Sequence, residues 1–120
     1  MKWSTLLSDL NESLERKKLR ERIKRLIDKW EPILGVQINS WDVRPGKRYW
    51  GTSNTETSHI TFNTAMAKLA PRFIEYLVVH ELVHHRTDGH DTRFYALMDQ
   101  HLPGWRKMNA QIEEPLQRYS

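Results

Sequence analysis

The pentapeptide His80-Glu81-Leu82-Val83-His84 constrains this chain more than any other stretch. On an α-helix, side chains four positions apart share one face. Two imidazoles so placed can grip a single metal ion, and zinc suits them. Glu81 follows the first imidazole at about 100° round the helix. It therefore stands beside the ion, too far round to ligate, as a general base would. All of this holds only if the segment is helical, and the neighbouring residues predict that it is. Pro71 suits a first helical turn, and Phe73, Ile74, Leu77, Val78 and Leu82 recur at the helical period. No Gly or Pro interrupts before Gly89. The helix is apolar enough to be largely buried, and polar side chains on a buried helix need partners, of which a metal is one.

Catalytic zinc usually takes three protein ligands and keeps one position for water. His90 follows His84 by six residues, beyond the turn Arg86-Thr87-Asp88-Gly89, so the chain can bend and return it to the first two ligands. Asp91 or Thr92 then caps a further helix over residues 93–102, stopped by Pro103-Gly104. The competing reading is a helix with surface histidines followed by an ordinary turn.

The length of 120 residues suits one small domain, 1–120, with a single core. No apolar run is long enough to cross a bilayer, and Asp9, Asn11 and Glu12 interrupt any secretory segment. These features predict a cytoplasmic protein without a membrane partner. Cysteine is absent, which excludes disulfides, a thiol nucleophile and thiolate ligands. The net charge of +4 is concentrated early, in Arg16, Lys17, Lys18, Arg20, Arg22, Lys24 and Arg25, against Glu21 alone. Leu19, Ile23, Leu26, Ile27 and Trp30 thread a helical apolar stripe through that run. The basic face over residues 16–25 is either solvated surface or an attractor of nucleic acid.

A basic helical segment is expected over residues 1–31, spanning about 4–30, closed by Pro32 and Gly35. Leu6, Leu7, Leu10 and Leu14 mark a first part that the wholly charged residues 15–18 set apart as separate or mobile. A sheet is expected within residues 36–63, from runs at 36–44, 48–52 and 59–63, with Pro45-Gly46 as the first turn. The motif helix, turn and following helix occupy residues 71–102, and a last helix reaches to about Glu114. The class is α+β.

Trp50-Gly51-Thr52-Ser53, Ile60-Thr61-Phe62-Asn63, Leu69-Ala70-Pro71, the stretch from Tyr76 to His84, His90-Asp91-Thr92-Arg93-Phe94-Tyr95 and Leu102-Pro103 together resemble the YgjP-like metallopeptidases. These are zincins related to the SprT-like and WLM families, and the resemblance covers roughly residues 41–105. It implies a minimal zincin-like fold, with a short, mostly antiparallel sheet packed on an active-site helix plus flanking helices. It also implies His80, His84 and His90 as Zn²⁺ ligands and Glu81 as the catalytic base, acting on a peptide or protein substrate. Glu81 would take a proton from a metal-activated water and return it to the leaving amine. The substrate would lie along the 59–63 strand or its neighbour. The family pattern often reads Trp-Gly-Ser-Cys where this chain has Trp50-Gly51-Thr52-Ser53, which puts any role carried over for that turn in doubt. The alternative is a zinc-containing module associated with nucleic acid, as in SprT-like processing of DNA-linked proteins, with little free peptidase activity. Oligomeric state is left open.

Other polar residues have plainer readings. His85 points away from His84, His59 is a surface residue or borders the cleft, and His101 favours a helix C-terminus. Glu113 or Glu114 is a substitute ligand only if His90 is not one. Asp91 is a helix cap or a partner that orients a histidine, and Tyr49, Tyr76 and Tyr95 are undistinguished candidates for oxyanion stabilisation. Trp30, Trp41, Trp50 and Trp105 read as core.

Overall fold

The computed structural model describes residues 2–87 and 91–112. Helix α1 spans Trp3–Leu34, followed by strands β1 (Ser40–Arg44), β2 (Gly51–Asn54) and β3 (His59–Asn63). A 3₁₀ turn (Thr64–Lys68), α2 (Pro71–His84), α3 (Thr92–His101) and α4 (Trp105–Gln111) complete the described chain.

The first helix is continuous, so the charged residues 15–18 do not divide it. It also runs past residue 31. Pro32 sits in the last turn, where losing one N–H breaks little of the ladder. The stop is Gly35, in the left-handed conformation at φ 68°, whose N–H donates to the Glu31 carbonyl. Leu19, Ile23, Ile27, Trp30 and Leu34 form the buried stripe, whereas residues 2–18 are all exposed.

The sheet is mixed, where the sequence suggests mostly antiparallel pairing. Its order is β1-β3-β2, with β1 parallel to β3 and β2 antiparallel to it. The chain bends at Lys47 and Arg48, just after the expected Pro45-Gly46 turn, but no β1–β2 hairpin forms because β3 enters between them. Asn63, at the end of β3, holds the connecting loop. Its Nδ2 donates to the carbonyls of Gly46 and Tyr49, each at 3.0 Å, and its Oδ1 accepts from Ala65 N to start the 3₁₀ turn. The run from Val36 enters the sheet only at Ser40, since the Glu31 carboxylate takes the Ile38 N–H at 2.8 Å.

Strand alternation sends Val43, Ile60 and Phe62 into the core and Ser40, Asp42, His59 and Thr61 to the other face. Helix α2 packs against α1, β2, α3 and α4. Ten of its residues, from Ile74 to His84, are buried, so it is the central strut of the core. Each such apolar side chain contributes about 1.5–3 kcal/mol of burial. Glu75 ties α2 to α1, its Oε2 accepting from Lys29 Nζ at 2.8 Å and Trp30 Nε1 at 2.9 Å. No described helix is long and apolar enough to cross a membrane.

Candidate metal centre

Pro71 begins α2 as its sequence predicts, and the helix persists through the whole motif. His80, Glu81 and His84 are 1%, 2% and 8% exposed. The two imidazole rings lie 4.7 Å apart, nearly perpendicular at 85°. One ligand atom from each of His80, Glu81 and His84 lies within 4.8 Å of the others. Two imidazole nitrogens and a carboxylate oxygen are a donor set that suits zinc and its first-row neighbours, so the residues present fit a divalent ion. His90 lies outside the described residues, as do Glu113 and Glu114.

Glu81 differs from its helical-wheel expectation. A position 100° round the helix suggests a carboxylate beyond the ion's reach, yet the side chain swings into the cluster. Its carboxylate contacts both the strand and an imidazole. Ser53 Oγ lies 3.2 Å from Glu81 Oε1 and 3.3 Å from the Glu81 carbonyl oxygen, so one hydroxyl proton is shared between two acceptors. Glu81 Oε2 lies 3.0 Å from His80 Nδ1.

Strand β2 provides this seat. Gly51 pairs with Phe62 and Ser53 with Ile60, so Gly51 and Ser53 face the core and α2. A Cβ on Gly51 would come within 3.1 Å of Glu81 Cγ, a tight approach, so a larger residue there presses on the carboxylate arm. Sequence reasoning missed both positions as site residues. Nothing in the local pattern says which helix residue a strand will face, although both belong to the motif that carried the family resemblance.

Aromatic rings enclose the imidazoles. Phe94, fully buried, lies 5.2 Å from His80 and 5.0 Å from His84. Tyr76 lies 5.9 Å from His80, and its hydroxyl donates to Asn109 Oδ1 at 3.0 Å, which ties it to α4. Tyr95 stacks on Trp105. The Tyr49 carbonyl serves the Asn63 contact described above.

Asp91 caps α3, its Oδ1 accepting from Phe94 N at 3.0 Å. That hydrogen bond, with the Arg93 charge, holds its carboxyl below the usual range. The cap fixes where Phe94 enters the site. His85 caps α2; burial pushes its pKa down, against the raising influence of Glu81, and its Nε2 has no hydrogen-bond partner among the described residues. His59 is no cleft residue. It bridges Ser40 Oγ (2.6 Å) and Asp42 Oδ1 (3.0 Å) on the outer sheet face, pinning β1 to β3. His101 ends α3 edge-on to Trp30, at 6.3 Å. Trp30, Trp50 and Trp105 are buried and Trp41 packs against the core.

The YgjP-like metallopeptidase domain model matches residues 5–114. Two solved structures share the fold. The metallopeptidase zymogen abylysin of Pyrococcus abyssi is similar at TM-score 0.67 and 23% identity, over 74% of this chain and 90% of its own. Jannalysin, the metallopeptidase zymogen of Methanocaldococcus jannaschii, is similar at TM-score 0.65 and 17% identity, over 74% of this chain and 91% of its own. No curated protein matches the sequence. With a family match across nearly the whole chain and an α+β fold common to two metallopeptidases, this protein belongs to the YgjP-like metallopeptidase domain family.

Proposed function

We propose that the chain hydrolyses peptide bonds with a zinc ion held by His80, His84 and His90, and with Glu81 as general base. The observation that carries this reading is the Glu81 carboxylate, buried against two imidazoles and held from the strand by Ser53. A metal site kept only for structure has no use for a carboxylate seated in this way. The ion, when bound, supplies a Lewis acid that acidifies water and polarises a carbonyl. Glu81 accepts the proton from the attacking water and delivers it to the departing amine. Ser53 and Gly51 keep the carboxylate in one place, and Phe94 with Tyr76 excludes bulk water from the imidazoles.

Strand order and the Ser53 contact support a place for the substrate. β3 has partners on both sides, so it offers no free edge. β2 is an outer strand and carries the Ser53 contact to Glu81, so an extended peptide pairs along β2 with weak sequence preference.

Metal analysis and digestion of a peptide library, on wild type and variants, test the assignment. Glu81→Gln keeps its zinc and loses about 10²–10⁴-fold in rate, the range for a lost general base. His84→Ala and His90→Ala lose zinc. Full activity in Glu81→Gln, or undiminished zinc in His90→Ala, removes the corresponding role. The nucleic-acid alternative has one observation in its favour, the exposure of Arg16, Lys17, Lys18, Arg20, Lys24 and Arg25. Its own measure is duplex DNA binding that weakens steeply with salt.

A further inference from the structure

The longest exposed apolar feature among the described residues is not at the metal centre. Trp3, Leu6, Leu7, Leu10 and Leu14 are 78%, 39%, 55%, 59% and 53% exposed. At 3.6 residues per turn they form one stripe on α1, roughly 155° round the helix from the stripe of Leu19, Ile23, Ile27, Trp30 and Leu34 that enters the core. Among the described residues only the second of these stripes is buried. With the second half of α1 docked, the first half projects about 24 Å with its apolar face turned from the body. Toward the body it presents Ser8, Asn11, Glu12, Glu15 and Arg16. No described residue covers the stripe.

We propose that this stripe is a self-association surface, on which a second copy of the chain pairs its own α1 in antiparallel orientation. The spacing Trp3, Leu7, Leu10, Leu14 alternates steps of four and three, the a/d pattern of a two-helix seam. Run antiparallel, the seam complements itself, Trp3 facing the other copy's Leu14 and Leu7 facing its Leu10. The flanking positions Ser4, Leu6, Asn11 and Ser13 carry no charge, so a second copy meets no repulsion along the seam.

Charge decides the direction. Arg16, Lys17, Lys18, Arg20, Arg22, Lys24 and Arg25 follow the stripe directly. Parallel pairing sets two such runs side by side, whereas antiparallel pairing sends them to opposite ends. An anionic membrane suits the stripe less well, because residues 2–15 carry Lys2 against Asp9, Glu12 and Glu15. Four seam residues per copy make a small interface, so the dimer is weak and depends on concentration.

Sedimentation velocity on the full chain, from low micromolar to several hundred micromolar, tests the pairing. Wild type passes from monomer to dimer. The double variant Leu7→Asp, Leu10→Asp raises the dissociation constant about tenfold or more while its circular dichroism stays unchanged, since both side chains are exposed in the single chain. The chain has no cysteine, so engineered pairs report orientation cleanly. Under mild oxidation an equimolar mixture of Trp3→Cys and Leu14→Cys forms a mixed disulfide dimer, and neither variant alone does so efficiently. A monomer at every concentration overturns the proposal. So does cross-linking of each variant chiefly with itself, or binding of the monomer to phosphatidylserine vesicles through the same leucines. None of these readouts requires peptidase activity, so the proposal stands or falls apart from the catalytic reading.

Discussion

Helix α2 and the first half of α1 are both helices with apolar side chains at helical spacing, yet they end in opposite surroundings. α2 is covered on every side, by α1, β2, α3 and α4, and even its polar residues His80, Glu81 and His84 are buried. Residues 3–18 of α1 are exposed throughout, including a tryptophan and four leucines. Hydrophobicity alone does not decide burial. What decides it is whether an apolar face is in phase with a neighbour: the core-facing stripe of α1 points at α2, and the first stripe points away.

Substitutions can break or sharpen this contrast. The largest expected effect is in α2, where Leu77→Ala costs about 2–5 kcal/mol by denaturant titration, as a cavity in a packed core does. The matching change Leu10→Ala, measured in dilute solution, stays within about 0.5 kcal/mol. Equal losses would mean that the first half of α1 is packed after all.

Next is Gly51→Ala, which forces a methyl against the Glu81 arm. Overpacking of this kind costs about 1–3 kcal/mol, and hydrolysis should fall by more than the stability loss explains. An unaltered rate would show that Glu81 does not need that seat.

Smaller again is the link between the two helices. Burial opposes ionisation of Glu75, but hydrogen bonds from Lys29 and Trp30 and the Lys29 charge outweigh it, so its carboxyl sits below the usual 4.5. A depressed folded pKa gives stability that is fully present above the unfolded value and is lost as pH falls through the folded one. Glu75→Gln should cost about 1 kcal/mol near neutrality and flatten the acid limb of stability against pH below about 4.5. An unchanged acid limb would place the α1–α2 attachment elsewhere. The smallest effect belongs to the basic run, where Lys17→Ser with Lys18→Ser changes stability by less than about 0.5 kcal/mol. A larger loss would contradict the solvated state of that face.

Much of α2 was legible because its signals are local. Pro71 opens the helix, the apolar period carries it, and the motif lies within one turn and a half. The cap of α3 was legible as Asp91 or Thr92, and the structure selects Asp91. The sheet was less so. Three strand-like runs were visible, but their order was not, because the Asn63 contacts that hold the 45–50 loop join residues 14 and 17 positions apart. The end of α1 was displaced for a related reason. Proline in a last helical turn reads as a stop, although one missing donor there is tolerated.

The residues themselves settled which chemistry is available. Two imidazoles and a carboxylate at fixed helical spacing need only backbone geometry to share a neighbourhood. Tertiary structure alone decided what surrounds them: Ser53 on the carboxylate, Gly51 beneath its arm, and Phe94 beside both rings. Those contacts span long separations in sequence, and only the packing of β2 and α3 on α2 selects which side chains meet.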